Sequence, residues 1–245
     1  MSSGRPYSEL APFYRGVMEH VDYARWGRYL EKLLRIHRRE PKSLLEVGAG
    51  TGTLSKFFRP SSLEFRVTTD LCYEMISLAD ETAGRLAVAD ACALPFNQKF
   101  DMILMTYDAV NYLQKKQLHA FFQEVARLLA KGGVFVFDAT TELNSLQFFC
   151  DFWHVQEVEG AVVTRHGIYH RKSRLQENIF DFFIPREGLY ERRHEEHRQY
   201  VHSEGTFRSA LKKAGLVPEA VYADFTISKN LLDAVRMQFV VGAAT

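Results

Sequence analysis

No stretch of this chain approaches the roughly 20 consecutive apolar residues that a membrane-spanning helix requires, and the amino terminus is polar. Neither an anchor nor a signal peptide is therefore expected. Cysteine is scarce: Cys72, Cys92 and Cys150 are odd in number, scattered and without C-x-x-C spacing. That argues against a disulfide framework and offers no zinc pattern, so no metal is expected and a reducing cytoplasm fits. Neither charge is in excess, with 31 Lys and Arg against 30 Asp and Glu. A chain without a global field has no general means of holding nucleic acid or an anionic membrane, which favours small or neutral partners. Repeats, low-complexity tracts and long linkers are missing too. A length of 245 residues suffices for one sizeable core, so a single α/β domain is expected.

What the chain does have is concentrated in Ser43 to Thr53, S-L-L-E-V-G-A-G-T-G-T. Leu44, Leu45 and Val47 form the short apolar run of a strand buried on both faces. Gly48, Gly50 and Gly52 then let the backbone turn sharply, with no Cβ to keep a ligand away. A helix after Thr51 would aim its free N–H groups at that ligand. The dinucleotide fingerprint G-x-G-x-x-G would need glycine at 53, where Thr53 stands, and this counts against a nicotinamide-dependent oxidoreductase.

A second strand, Phe65 to Thr69, ends on Asp70, placed to accept hydrogen bonds from both hydroxyls of a ribose. Asp70 lies 18 residues beyond Gly52, close to the interval such a role requires. The alternative is an N-cap for a helix from Tyr73 to Ala79. Leu71 and Met75 would give an adenine ring an apolar face. A third strand, Arg85 to Ala89, leads into D-A-C-A-L-P-F at residues 90–96, and a fourth, Phe100 to Met105, exits into T-Y-D-A-V-N-Y-L at 106–113. Ligands of open α/β sheets bind outside the carboxyl ends of the strands, so this exit faces the reacting group.

The pattern E-x-G-x-G-x-G from Glu46 resembles motif I of the Rossmann-like S-adenosylmethionine-dependent methyltransferases, and D-A-C-A-L-P-F resembles that family's D-A-x-x-L-P-F segment. The run V-A-R-L-L-A-K-G-G-V-F-V-F-D at 125–138 is similar to the family's entry to its fifth strand, with Ala130 where lysine or arginine is commoner and Lys131 in place of proline. The likeness covers about residues 40 to 140. It implies a Rossmann-like seven-stranded, mostly parallel sheet flanked by helices, and S-adenosyl-L-methionine as cofactor. Glu46, Gly48, Ala49, Gly50 and Gly52 would wrap the methionine and ribose portion. By the same resemblance the Asp90 carboxylate accepts from the adenine amino group, and the Ala91 N–H reaches a ring nitrogen. Thr106, Tyr107 and Asn111 would contact methionine or substrate. An amino-terminal segment would close over the cofactor, with Tyr14 and Trp26 as candidates. The exit lacks the N-P-P-Y or D-P-P-Y sequence common in enzymes that methylate nucleic acid bases or protein glutamine, which disfavours those substrates.

Around this core, Leu30, Leu33, Leu34 and Ile36 fall mostly at helical spacing, as do Leu118, Phe121, Phe122 and Val125 in a helix from Gln117 to Leu129. Lys131-Gly132-Gly133 reads as the stop of the latter, before a fifth strand from Val134 to Phe137. The α/β alternation then breaks. Segments near 155–170, 174–184 and 191–201 read as antiparallel strands inserted after the fifth strand, a lid at 139–202 between the cofactor core (41–138) and a closing unit (203–245), with 1–40 as an amino-terminal helical segment. Asp151 to His202 holds six of the nine histidines and eight aromatics. That enrichment suits a substrate roof, with Trp153 and His154 as candidates, or a homodimer interface. His194 and His197, three apart on a strand, would point to opposite faces and not share a metal. The closing unit reads as a helix capped by Ser203 and running to Gly215, then strands from Val217 to Phe225 and Met237 to Val241.

The expected activity is methyl transfer to a nitrogen or oxygen of a small molecule. An amine is preferred because no residue stands out as a base; a hydroxyl acceptor would call on His154, His194 or His197. A catalytically silent cofactor-binding module acting through the lid is the other alternative.

Overall fold

The chain, described over residues 6–243 by a computed structural model, turns the apolar runs into the middle of one sheet. Its first strands are β1 (Ser43–Val47), β2 (Phe65–Asp70), β3 (Arg85–Val88), β4 (Phe100–Met105) and β5 (Leu129–Thr140). There follow β6 (Phe152–Val158), β7 (Ala161–His170), β8 (Leu175–Arg186) and β9 (Leu189–Tyr200), then β10 (Leu216–Ala223) and β11 (Arg236–Ala243). The main sheet has seven strands in the order β10-β11-β5-β4-β1-β2-β3, with β11 antiparallel to both neighbours and the rest of the strands β1 to β5 parallel. The remaining four strands form a separate antiparallel sheet, β6-β7-β8-β9.

Strand periodicity sorts the core into two layers. Leu45, Ile103, Met105, Phe135 and Phe137 face one way, against the buried stripe of a helix at Lys115–Leu128 and against Phe207 and Leu211 of the helix Glu204–Lys213. Leu44, Met102, Leu104, Val134 and Val136 face the other way, against Trp26, Leu30, Leu33 and Leu34 of the helix Tyr23–Ile36. Asp22 caps that helix, accepting from the Arg25 N–H, and Ser203 caps Glu204–Lys213 in the same manner through Thr206.

Several local expectations are corrected. The glycine turn feeds a single 3₁₀ turn, Thr53–Lys56, rather than a helix. The helix Tyr23–Ile36 presses on the chain just beyond it: a Cβ at Gly27 would lie 2.1 Å from the Phe57 carbonyl oxygen. The segment after Asp70 makes one helical turn, Tyr73–Ile76, not a helix to Ala79. The helix before β5 stops at Leu128 because Leu129 is already extended, so Gly132 and Gly133 do not stop it. They form part of an irregularity inside β5, where pairing with β4 jumps from Phe100↔Leu129 to Met102↔Val134 and Gly132 takes φ +76°.

The insertion has four strands, not three. Glu159 and Gly160, at φ 50° and 75°, fold the first segment into a hairpin, and Glu187 and Gly188 turn β8 into β9 in the same way. Two consecutive left-handed residues match the twist of a two-residue hairpin. One end of this sheet's inner face is apolar. Val158, Ala161, Val163, Phe180 and Phe182 bury Leu10, Phe13 and Val17 of the amino-terminal segment. Gly16 permits the approach, since a Cβ there would sit 2.3 Å from Val158 Cγ1.

Candidate functional site

The parallel strands leave their carboxyl ends on one edge, and the antiparallel sheet folds back over that edge. Between them lies a cavity of about 540 Å³. Its floor is the stretch from Glu46 to Thr51, with Asp70, Leu71 and Met75 beyond β2 and Asp90 and Ala91 beyond β3. Thr106 and Tyr107 line it at the β4 exit, and Tyr14 and Trp26 reach it from the amino-terminal segment. Thirteen of the candidate positions thus converge on one cavity, although β1 and β4 lie 58 residues apart where Ser43 meets Asp101.

Backbone geometry dominates the floor. Gly48 and Gly50 take φ +66° and +59°, and a Cβ on Gly50 would lie 3.1 Å from Met75 Cε. The Asp70 carboxylate accepts from the Gly50 N–H at 2.7 Å and from the Cys72 N–H at 2.8 Å. Burial pushes its pKa up while these backbone donors pull it down. Asp70 does not cap the following helical turn: the N-cap position is Cys72, no side chain caps that turn among the described residues, and toward it the Asp70 carboxylate reaches only the Cys72 N–H. Glu46 is 1 % exposed and its Oε2 has no hydrogen-bond partner among the described residues. Burial raises its pKa against the opposing charge of Arg66. Asp90 is exposed and accepts from the Cys92 N–H at 2.8 Å.

Four candidates fall outside the cavity lining. Gly52, at φ +64°, packs instead against Ala83, whose Cβ would be 3.0 Å from a Cβ at 52. Asn111 is fully buried and ties chain to chain: its amide donates to the Tyr200 carbonyl at 2.8 Å and accepts from the Thr140 N–H at 3.0 Å. Trp153 lies on the outer face of the antiparallel sheet, 65 % exposed and stacked on His166 at 4.0 Å. The strand register explains this, since Trp153 pairs with His166 and only its neighbours Phe152 and His154 share the inner face. His154 sits on the edge strand, exposed, beside a small cleft of about 60 Å³.

The β4 exit is strained and braced. Tyr107 and Asp108 take φ 60° and 49°, sparsely populated values for non-glycine residues. Asp108 is held from three sides: its N–H donates to Asp138 at 3.0 Å, and its carboxylate accepts from Arg236 at 2.9 Å and from the Gln199 amide at 2.5 Å. Arg236 also pairs with buried Asp138, whose pKa burial pushes up to about 6 despite that charge. The result aims Tyr107 into the cavity, with its ring 4.6 Å from Trp26 and its buried hydroxyl without a hydrogen-bond partner among the described residues.

The roof contains a chain of groups that sequence reasoning did not assemble. The Tyr7 and Tyr112 hydroxyls are 2.8 Å apart, the Tyr112 hydroxyl is 2.7 Å from His197 Nδ1, and His197 Nε2 is 2.5 Å from Glu195. Tyr7, Tyr112 and His197 line the cavity. Glu195 also accepts from the N–H groups of Tyr7 and Glu9 at 2.8 and 2.7 Å. Burial pushes its pKa up, but His197 and these donors outweigh burial and leave it below the usual carboxylate value. His194 points away, as the strand alternation requires, and bonds to Asp181 at 2.8 Å. No grouping of His, Cys, Asp and Glu among the described residues could hold a metal ion.

This sheet order, with its antiparallel β11 and the glycine turn after β1, is the fold of class I S-adenosylmethionine-dependent methyltransferases. Residues 44–133 match the family model described as a methyltransferase domain. YqeM of Bacillus subtilis (strain 168), which carries a methyltransferase name, is 25% identical over 241 residues, 95% of either chain. Among solved structures, an S-adenosylmethionine-dependent methyltransferase from Clostridium acetobutylicum ATCC 824 superposes with TM-score 0.83 at 23% identity over 98% of this chain and 99% of that one. CalS10 of Micromonospora echinaspora, an amino pentose methyltransferase with S-adenosylmethionine bound, superposes with TM-score 0.72 at 20% identity over the whole of both chains. The methyltransferase domain at residues 44–133 and the relatives that carry methyltransferase names support S-adenosylmethionine-dependent methyl transfer as the activity of this fold. No helix among the described residues is long and apolar enough to cross a membrane.

Proposed function

We propose that the chain methylates a nitrogen or oxygen of a small molecule held between the β4 exit and the antiparallel sheet, residues 139–202 serving as the substrate lid. The observation that carries this reading is the division of one cavity into an acidic, glycine-lined floor and a roof of polar side chains.

The floor fits the cofactor. Glu46, Asp70 and Asp90 are carboxylates without a cation of the cavity paired to them among the described residues, which suits a ligand bearing a sulfonium and an ammonium group. When bound, S-adenosylmethionine supplies a methyl group on positive sulfur, which the acceptor's lone pair takes while the S–C electrons remain with sulfur. Gly48, Ala49 and Gly50 would let the main chain approach it closely. Asp70 would exchange one backbone partner for the ribose hydroxyls, with Leu71 and Met75 against adenine and Asp90 and Ala91 at its polar edge. Tyr14, Trp26, Thr106 and Tyr107 would then exclude water from the reacting atoms and fix their line of approach.

An amine acceptor is favoured by the fold's likeness to an enzyme whose name specifies an amino sugar. A hydroxyl acceptor is a second reading, favoured by the relay. Tyr112 or Tyr7 can take the acceptor's proton while His197 accepts in turn at Nδ1 and Glu195 holds the ring through Nε2. The relay offers a candidate base for a hydroxyl acceptor, where the sequence alone singled out none.

Release of S-adenosylhomocysteine with a panel of primary amines and phenols tests the proposal. Turnover with one class and not the other decides between nitrogen and oxygen. Tight cofactor binding without release from any member of either class, or from a small-molecule extract, would leave the silent binding module as the better account. Native mass separately reads the expectation that the lid supports a homodimer.

A further inference from the structure

We propose that the roof carries a carboxylate subsite built on Arg165, which anchors an anionic group of the methyl acceptor at a distance from the atom that is methylated. This rests on the reading that the cavity holds an acceptor opposite the cofactor. The argument begins with charge. Among the described residues, two arginines and no lysine line the cavity. Arg236 is neutralised by Asp108 and Asp138. Arg165 makes no ion pair among the described residues, and the oxygens of Asp108, whose charge reaches it through space, are already taken by Arg236 and Gln199. A guanidinium on the inner face of a sheet, lacking a carboxylate, is costly unless something arrives to pair with it.

Its surroundings fix how that partner would bind. Asn178 Oδ1 accepts from Arg165 Nε at 3.0 Å and from Nη2 at 2.8 Å, which uses the guanidinium's side edge and sets its plane. The terminal edge, formed by Nη1 and the second Nη2 hydrogen, keeps its donors. Two parallel N–H bonds from such an edge match the two oxygens of one carboxylate. Aromatic rings surround the cation, with centroids of Phe149, Phe152 and Phe180 at 5.2, 5.5 and 5.5 Å. Gly167 makes room for this arrangement, because a Cβ there would lie 2.1 Å from Phe152 Cε1. The rings attract the cation but bring no negative charge, so its charge remains for an arriving anion.

The charge count also selects the class. One free cation with one free edge suits a monoanionic carboxylate. A dianionic phosphate would place a second negative charge near Asp108 with no further lysine or arginine of the cavity, among the described residues, left to meet it. The cofactor's own carboxylate is the competing occupant, and the test separates the two.

The experiment uses the whole protein saturated with S-adenosylhomocysteine, with benzoate and benzamide as matched probes, followed by NMR of the arginine side-chain N–H groups. The Arg165 signal is identified by its loss in Arg165→Gln. Benzoate should move that signal and bind at least tenfold tighter than benzamide. The preference should vanish in Arg165→Gln and survive in part in Arg165→Lys, with S-adenosylhomocysteine affinity unchanged within twofold. Absence of a benzoate preference in the wild type, or its persistence in Arg165→Gln, overturns the subsite. So does a tenfold loss of S-adenosylhomocysteine affinity in Arg165→Gln with unaltered binding of 5′-methylthioadenosine, which lacks the amino-acid half; Arg165 then belongs to the cofactor. Because these readouts need no turnover, a benzoate preference in a protein that methylates nothing would refute methyl transfer while leaving the subsite standing.

Discussion

The floor of the cavity comes from a continuous stretch of chain and from the ends of parallel strands, whereas its roof comes from side chains that meet across β7, β8 and β9. On the floor, positive φ at Gly48 and Gly50 and backbone N–H groups do most of the shaping. In the roof, Arg165, Asn178, His197 and Gln199 do it with side chains. A backbone surface tolerates little variation in residue type at its glycines. A side-chain surface can change its ligand by single substitutions while its strands stay paired. In the function proposed above, the cofactor lies against the floor and the acceptor against the roof.

The largest effect that would break this division is at the turn. Gly50→Val places a branched side chain at φ +59° and against Met75, costing about 1–2 kcal/mol of stability for the left-handed conformation. Affinity for S-adenosylhomocysteine, read by calorimetry, should fall by more than about 100-fold while circular dichroism stays native. Normal affinity in the folded variant would make the turn merely structural.

The roof's chemistry comes next. With a hydroxyl acceptor, His197→Gln should lower kcat by about 100-fold or more, the usual range for loss of a positioned base. Tyr112→Phe should do the same if the phenol carries the proton. An amine offered above its own pKa should suffer much less, so the ratio between the two acceptors sharpens the distinction between relay and packing.

A smaller effect concerns how the roof is fastened. Glu195 is depressed below the unfolded value, so it contributes stability above the pH at which an unfolded glutamate titrates, about 4.3. That contribution is lost as pH falls through its lower folded pKa. Glu195→Gln should remove this part of the acid dependence and cost about 1 kcal/mol at neutral pH, or 2–4 °C in Tm. A thermal scan from pH 3 to 7 with the same acid slope in both proteins would contradict the assignment. The smallest effect is at Trp153. On the outer face it touches His166 and not the cavity, so Trp153→Ala should leave turnover within about twofold.

Legibility followed the same division. That Glu46, Gly48, Gly50, Asp70, Asp90 and Ala91 line one cavity is legible because each sits near where a parallel strand ends, a position that short-range pattern fixes. The relay was not readable: Tyr7 and Tyr112 are 105 positions apart, and Tyr112 and His197 are 85 apart. Nothing local joins them. Trp153 was misplaced because the register of β6, decided by the Glu159-Gly160 turn, sets which face it takes. Asn111 and Asp108 show a subtler limit. Both lie in the exit segment read as a ligand contact, yet Asn111 serves to hold that segment in place, and Asp108 braces it between Arg236 and Gln199.

The division itself is tested most directly by one paired titration, S-adenosylhomocysteine into Asp70→Asn and into His197→Gln, each beside the wild type. Asp70→Asn loses the charge that would meet the ribose and should bind about 10- to 100-fold more weakly, as expected for a charge-assisted bond. His197→Gln should bind as the wild type does. Equal affinity in Asp70→Asn, or a loss confined to His197→Gln, would place the cofactor against the roof and contradict the account.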